Sequence, residues 1–386
     1  MAAEPQQPAA ASRRAIVFAP GIGDIAVNQS VATVGRKIAD ALDDRSEPEL
    51  TFEVDVRDES YGDDLVASVC TISEKAPDGA AVPVLDVWKL DSVRELRRGV
   101  DQRSLLVKIL LPALLLVSSG VLSIGRIRKP KGKGARSRFQ FFYSLAILGL
   151  LTVYVGFLVY SALDAIGVVG KAGTIVPGAV VSVLTALGLW QSKLIESLAS
   201  QAAAFVATGS YFRYGQRQDE LVGGLVRLLQ HLKASRKVAY TRVDLVAYSF
   251  GSIVALDAVF PPKGRATASA GYVDSLITVA CPFDFVRTYW PSFFDDREVD
   301  PGRPKDWVNV YMPIDVLSSN FHDSDDQATE ATVGIPTNGG AAARKPRNAL
   351  YADPANPTKL GLADIVAVVG LRSHSFYWGT EQSPGL

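Results

Sequence analysis

Short apolar runs near both ends of the chain alternate with turns and polar stretches. Such runs, when they are bounded by Gly, Pro or Asp, predict buried β-strands. They comprise residues 15–19, 243–246, 275–281, 307–312 and 364–370. Behind the second run, Gly251 and the small and aliphatic residues 252–256 predict a helix that begins directly after the strand. Residues 224–234 have the spacing of an amphipathic helix. The pattern therefore predicts strands in both terminal parts, with helices in the C-terminal one.

In the middle of the chain, apolar residues continue far beyond the length of a strand. Residues 105–125 contain a single charge, Lys108, and residues 139–163 contain none. Both runs reach the ~20 residues that a helix needs to cross a bilayer, and a buried core helix is seldom apolar on all sides for so long. The sequence therefore predicts two transmembrane helices. A third run, 172–190, is marginal in length, and a fourth, 194–210, is less apolar.

A basic loop at 126–138 separates the two predicted spans, and it suits the anionic headgroups of membrane lipids. The positive-inside rule places this loop in the cytoplasm, which would put the strand-forming parts of the chain outside. Two features favour the opposite orientation: a long N-terminal part without a signal peptide precedes the first span, and arginines crowd the start of that span. These are Arg94, Arg97, Arg98 and Arg103. We expect a multi-pass membrane protein whose strand-forming part faces the cytoplasm.

Charge and composition exclude several classes of protein. The chain has 40 basic and 40 acidic residues, so no overall field favours nucleic acid, and we expect no nucleic-acid partner. Cys70 and Cys281 are the two cysteines, and their apolar surroundings argue against a disulfide framework or a thiolate metal site. Three scattered histidines argue against a zinc hydrolase. The sequence therefore predicts neither a metal nor another cofactor.

The most specific chemical signal is the turn that follows the strand at 243–246. There the sequence reads A-Y-S-F-G, with Ser249 at its centre. A serine at a helix start is often only a cap. This turn, however, resembles the G-x-S-x-G nucleophile elbow of the α/β-hydrolase superfamily, except that Ala247 takes the place of the first glycine. The resemblance implies a mostly parallel sheet with helices on both faces, and Ser249 as the nucleophile of a lipase- or esterase-like serine hydrolase.

A glycine-rich loop, P-G-I-G-D at 20–24, follows the first predicted strand. It resembles the loop that contributes to the oxyanion hole in this superfamily, although Pro20 stands where many members have histidine. An oxyanion hole needs two backbone N–H groups, and the resemblance assigns them to Ile22 and Phe250. An ordinary strand-to-helix turn is the alternative. A phosphate loop fits less well, because its lysine and spacing are missing.

The resemblance also implies an acid after the seventh strand of the fold and a histidine after the last one. The pattern W-x-N-x-Y-x-P-x-D-x-x-S places Asp315 in the position of the acid, and Asp284 is the alternative. The order in the superfamily is serine, acid, histidine. His231 precedes the serine, and His322 lies too close to Asp315 in the sequence to come from a separate strand end. His374 is therefore the candidate base, the alternative being a histidine on a surface loop.

The resemblance divides the chain into four parts. Residues 1–14, rich in Ala, Pro and Gln without an apolar core, predict a disordered tail and no signal peptide. The first part of an α/β-hydrolase domain is expected at 15–100, a transmembrane insertion at 101–210, and the second part, with the catalytic residues, at 211–386. If both parts share one sheet, they lie on the same side of the membrane and the number of crossings is even. Two arrangements stay open: two spans with 172–190 as an interfacial or re-entrant segment, which we favour, or four spans.

These features predict a membrane-anchored serine hydrolase that cleaves a carboxylic ester or thioester. The anchor favours a lipid or another acyl-bearing substrate, with membrane lipids as partners; the oligomeric state stays open. A non-catalytic, membrane-tethered binding or scaffolding protein is the alternative, which the departures at Ala247 and Pro20 permit. A channel subunit fits less well, because residues 139–163 offer few polar groups. Residues 323–359 form a long polar connection, expected to be either a lid or a disordered insertion.

Overall fold

The structure is a computed structural model that describes residues 12–21, 30–44, 50–62, 65–75, 79–91, 211–212, 215–265, 271–290, 292–300, 302–313, 315, 317–322, 330–337, 342–351, 374 and 377. The predicted spans at 105–125 and 139–163, the run at 172–190 and the predicted strand at 364–370 lie outside these residues. Among the helices that the structure describes, none is long and apolar enough to cross a membrane.

Eight strands form a single sheet in the order β2-β3-β4-β1-β5-β6-β7-β8. They are β1 (Ser12–Ala19), β2 (Thr51–Ser60), β3 (Val66–Lys75), β4 (Ala81–Lys89), β5 (Ala239–Tyr248), β6 (Ser275–Val279), β7 (Asp306–Tyr311) and β8 (Arg347–Leu350). β3 runs antiparallel to the other seven strands of this described sheet, which are parallel to one another. The protein therefore has an α/β architecture built on a mostly parallel sheet.

Helices cover both faces of the sheet. They are α1 (Val31–Asp43), α2 (Gly215–Ala234), α3 (Phe250–Val259) and α4 (Phe283–Tyr289). Successive residues of a strand point to opposite faces. Ala15 and Val17 of β1 join the core that contains α2 and α3, whereas Phe18 joins the core beneath α1. A central strand covered on both faces is apolar at consecutive positions, which is why β1 reads as an uninterrupted apolar run.

The two helices next to β1 and β5 form for different local reasons. Ser30 caps α1, since its hydroxyl accepts a hydrogen bond from the N–H of Thr33 at 3.1 Å. Val31, Val34 and Ala39 then fall on one buried face of that helix. By contrast, every residue of α3 is buried, because it lies between the sheet and α2. The helix behind the candidate nucleophile is thus enclosed on all sides.

The strands predicted at 15–19, 243–246, 275–281 and 307–312 are confirmed as β1, β5, β6 and β7. The predicted tail at 1–14 was too long, because Ser12–Arg14 already belong to β1, where Arg13 pairs with Tyr240 of β5. For residues 323–359, expected to be a lid or a disordered insertion, the second alternative is wrong in part. These residues supply β8, and Ile335 is fully buried. β8 escaped prediction because it is short and carries the polar residues Arg347 and Asn348.

Both terminal parts of the chain contribute to the same sheet. β1 pairs with β4, which precedes the undescribed segment 92–210, and also with β5, which follows it. The premise of one sheet, on which the even number of membrane crossings rests, is therefore confirmed.

Candidate active site

Ser249 occupies a tight turn between the end of β5 and the start of α3. Its backbone has φ 54° and ψ −125°, a left-handed conformation that costs a non-glycine residue about 1–3 kcal/mol. Two hydrogen bonds hold the turn: the N–H of Ser249 donates to the carbonyl of Val279 at 2.8 Å, and the N–H of Ser252 donates to the carbonyl of Ser249 at 2.9 Å. The hydroxyl of Ser252 also donates to the carbonyl of Ala247 at 2.7 Å. The strained backbone is therefore held from β5, β6 and α3 at once.

Two glycines make room for this turn. A Cβ on Gly251 would lie closer than 3.0 Å to the carbonyl oxygens of Ala19 and Pro20, and a Cβ on Gly21 would lie 2.8 Å from the Cβ of Ser249. By contrast, Ala247 has 0% of its surface exposed and its methyl packs in the core. The position of the first glycine in the elbow pattern therefore accepts an alanine here, whereas the last position does not.

Ser249, His374 and Asp315 form a continuous hydrogen-bonded chain, as the sequence predicted. The Nε2 of His374 lies 2.7 Å from the Oγ of Ser249, and its Nδ1 lies 2.8 Å from the Oδ2 of Asp315. Asp315 has 0% of its surface exposed and His374 6%, while Ser249 is only half-buried. In this geometry the imidazole can take the serine proton, and the carboxylate orients the ring and stabilises its charged form.

Asp315 is held as an acceptor by three donors. Besides His374, the hydroxyl of Tyr377 donates to Oδ2 at 3.0 Å and the N–H of Leu317 donates to Oδ1 at 3.0 Å. Burial, and then the charge of Asp315, raise the pKa of Tyr377 well above its ordinary value. The hydroxyl thus keeps its proton and remains a donor to the carboxylate. The same hydroxyl accepts from the N–H of Met312 at 2.8 Å, which ties the acid to the end of β7.

Two tyrosines beside these three residues were not predicted as part of the site. Tyr248 stacks on the imidazole of His374, with ring centres 5.3 Å apart, and its hydroxyl donates to the carbonyl of His374. Tyr377 binds the acid directly. Their positions were the only signal in the sequence: Tyr248 is the variable residue of the elbow pattern, and Tyr377 lies three residues after His374.

A buried amide network fixes the loop that carries Asp315. Asn309 of β7 donates to the carbonyl of Ser319 at 2.9 Å and to Asn348 of β8 at 3.2 Å. Asn348 donates in turn to the carbonyl of Asn320. The loop at 317–322 is thus attached to both strands. The asparagine of the W-x-N-x-Y pattern positions the acid loop without touching the acid.

The other candidates lie elsewhere. Asp284, the alternative acid, lies in the first turn of α4 with Arg287 at 3.8 Å, and it is Asp315 that contacts His374. The backbone N–H of His322 donates to Asn320, and His231 lies on α2 with Glu59 at 3.9 Å. The structure therefore brings together the predicted triad and leaves the alternatives outside it.

Of the two predicted oxyanion donors, the structure describes one. Phe250 is the first residue of α3, and the first N–H groups of a helix are not used by its own hydrogen-bond ladder. This N–H lies directly after Ser249, at the positive end of the helix dipole. Ile22 lies outside the described residues, although its neighbour Gly21 packs against Ser249.

A second buried polar cluster anchors α3 near its C-terminal end, through Asp257. Asp257 forms an ion pair with Arg297, and both side chains are 1% exposed. Asp257 also accepts from the hydroxyl of Tyr211 at 2.6 Å and from Gln218. The guanidinium of Arg297 lies over the ring of Phe293 at 4.8 Å. The cluster joins α2, α3 and the 290–300 segment, which holds the elbow helix in place.

Within the described ranges, no cluster of three or more His, Cys, Asp or Glu side chains could hold a metal ion. Comparisons with protein-family models, curated proteins and solved structures found nothing that matches this chain. The geometry of Ser249, His374 and Asp315 therefore provides the basis for a functional proposal.

Proposed function

We propose that this protein is a membrane-anchored serine hydrolase of the α/β-hydrolase superfamily, which cleaves a carboxylic ester or thioester. The observation that carries the proposal is the contact of the Oγ of Ser249 with the Nε2 of His374 at 2.7 Å, on a strained strand-to-helix turn and with a buried carboxylate behind the imidazole. The order along the chain supports it, because the elbow follows the fifth described strand and Asp315 follows the seventh.

The reaction proceeds in two steps, and in each step one proton passes through His374. The Oγ of Ser249 attacks the carbonyl carbon while its proton passes to the Nε2 of His374, and the N–H of Phe250 stabilises the oxyanion. Breaking the bond to the alcohol or thiol releases that group with the proton from Nε2 and leaves an acyl-serine. Water then attacks the acyl carbon, again giving its proton to His374, and the carboxylic acid leaves as Ser249 regains its hydrogen.

Membrane attachment is part of the proposal. It rests on the long apolar runs at 105–125 and 139–163. We propose that the hydrolase domain faces the cytoplasm and is tethered through an even number of crossings.

Labelling of full-length protein with a fluorophosphonate probe tests the nucleophile. We expect covalent labelling of the wild type and none of Ser249→Ala. The matched control is Ser292→Ala, which removes an exposed serine and is expected to label like the wild type. Absence of labelling in the folded wild type would leave the non-catalytic binding or scaffolding protein as the better interpretation.

Two aspartates provide the matching test of the acid. Asp315→Asn preserves the shape of the side chain but removes the charge that stabilises the imidazolium, so we expect kcat to fall by about 10⁴-fold. Asp284→Asn, in α4, is expected to retain most of the activity. Equal losses in the two variants would contradict the assignment of Asp315.

A further inference from the structure

The C-terminal ends of the parallel strands form one edge of the sheet, and the candidate triad lies there. Ser249 follows β5 and Asp315 follows β7, and His374 contacts both. We call this the catalytic edge. In parallel α/β sheets, ligands bind outside this edge. The places where the chain enters and leaves segment 92–210, which contains the apolar runs at 105–125 and 139–163, are therefore informative about the substrate.

The chain leaves the sheet at the catalytic edge, after β4, and continues into segment 92–210. β4 ends at Lys89, which pairs with Phe18 of β1, and the N–H of Leu90 donates to the carbonyl of Phe18 at 2.9 Å. The next residue of β1, Ala19, lies against Gly251 of the elbow. Because β4 and β5 flank β1 at the usual strand spacing, the point of departure is ~10 Å from the strand that carries Ser249.

The chain also returns at this edge. The ring centre of Tyr211 lies 5.0 Å from that of Phe250, the residue next to Ser249. Phe212 stacks on Trp290 with ring centres 4.3 Å apart, and both rings are only partly buried. Of these two residue types, tryptophan is enriched where proteins meet the membrane interface. The described residues that flank segment 92–210, Leu90 and Tyr211, thus lie near the elbow.

We propose that the catalytic edge faces the bilayer surface and that the substrate of Ser249 is a long-chain acyl ester dissolved in that same bilayer. The argument rests on the proposed function. It combines two attachment points on one edge with runs at 105–125 and 139–163 that are long enough to span a membrane. Tethering in this way holds the edge against the lipid headgroups.

The chemistry favours this class of substrate over a water-soluble ester. Transferring an acyl chain into water becomes less favourable with each methylene group, so an enzyme that meets the ester at the membrane avoids that transfer. A tethered site also meets bilayer-held substrate at a high effective concentration. The acyl-transfer step is the one given above, with the lipid alcohol as the group that leaves with the proton.

The orientation can be measured without any catalytic readout. The two native cysteines are buried, so a thiol-reactive fluorophore attaches selectively to a new exposed cysteine. Asp91→Cys places it at the catalytic edge, and Lys237→Cys places it at the opposite edge, where β5 begins. In phosphatidylcholine vesicles that contain a spin-labelled lipid, we expect at least ~2-fold stronger quenching at position 91, because β5 separates the edges by ~33 Å. Equal quenching, or stronger quenching at position 237, would overturn the proposal.

The substrate class is tested with full-length protein reconstituted in phosphatidylcholine vesicles. 4-Methylumbelliferyl oleate is placed either in the membrane that carries the enzyme or in separate, enzyme-free vesicles. We expect initial rates at least ~10-fold higher in the shared membrane, because only there does the tether raise the local concentration. Equal rates would overturn the proposal.

Soluble 4-methylumbelliferyl acetate separates this proposal from the proposed function. Hydrolysis of the acetate with a higher kcat/KM than the oleate in the shared membrane would overturn the lipid substrate and keep the hydrolase. Fluorophosphonate labelling without hydrolysis of the oleate would likewise overturn the lipid substrate and keep the hydrolase. If neither ester is cleaved and no labelling occurs, the proposed function itself fails.

Discussion

At the scale of single residues, the turn around Ser249 depends on space more than on the elbow pattern as such. The methyl of Ala247 is accommodated in the core, whereas a methyl at Gly251 would meet the carbonyl groups of β1. The sequence alone could not distinguish these two positions, because both are small residues of the same motif. The approach of the first turn of α3 to β1 makes the difference.

Gly251→Ala is expected to destabilise the fold by about 1–3 kcal/mol, as overpacking does, and to reduce kcat by about 10²-fold through displacement of Ser249. Gly223→Ala is the control, since nothing lies within 4 Å of the added Cβ. That helical position should gain about 0.5–1 kcal/mol in stability. Thermal unfolding and ester hydrolysis measure both effects. Full activity in Gly251→Ala would contradict the close packing at the elbow.

Tyr377 and Tyr248 are expected to support catalysis in different ways. Tyr377→Phe removes a donor to Asp315, so the carboxylate binds the imidazolium more strongly. The acidic limb of the pH–rate profile should move to higher pH by about 0.5–1 unit, the equivalent of one hydrogen bond. Tyr248→Phe removes a hydrogen bond to the backbone of His374 and should lower kcat without moving that limb. If the acidic limb of the pH–rate profile does not move in Tyr377→Phe, the role of the tyrosine is only structural.

At the scale of elements, helix α3 carries the elbow and is anchored by a buried ion pair. Arg297→Met would leave Asp257 as an uncompensated buried charge and should cost about 3–5 kcal/mol. Asp257→Asn combined with Arg297→Met should recover much of this loss, because the amide still accepts from Tyr211. Chemical denaturation provides the measurement.

The exposed ion pair of Arg265 and Asp219 is the matched control for the buried pair of Arg297 and Asp257. Their atoms lie 2.6 Å apart, with 45% and 62% of the side chains exposed. Arg265→Met should therefore cost less than about 1 kcal/mol. A similar loss from Arg297→Met would mean that the buried pair does not anchor α3.

One of the elements that the sequence did not predict, β8, helps to hold the loop beside Asp315. β8 has four residues, and its Asn348 is buried because it bonds to Asn309 and to the acid loop. Local pattern carries no signal for such a strand, since its polar residues are satisfied by partners that lie far away in the chain. In contrast, β1 and β5 were predictable because they are apolar on both faces.

At the scale of the whole molecule, both halves of the chain form one sheet, which limits the proposed membrane topologies to those with an even number of crossings. Single cysteines at the exposed positions 75 and 305 report on the two halves. In sealed vesicles, a membrane-impermeant maleimide should modify both variants, Lys75→Cys and Lys305→Cys, or neither. We expect both to react in inverted vesicles and to be protected in right-side-out ones. Modification of one and not the other would rule out an even number of crossings.

The sequence by itself determined the central strands, the small residues of the elbow and the chain order of Ser249, Asp315 and His374. Each of these depends on neighbouring residues, because burial on two faces or a sharp turn constrains consecutive positions. Only the tertiary structure decided which carboxylate meets His374, how Tyr248 and Tyr377 contact His374 and Asp315, and that the residues flanking segment 92–210 lie near the elbow. Those contacts join residues as far as 126 positions apart, and sheet order and packing bring them together.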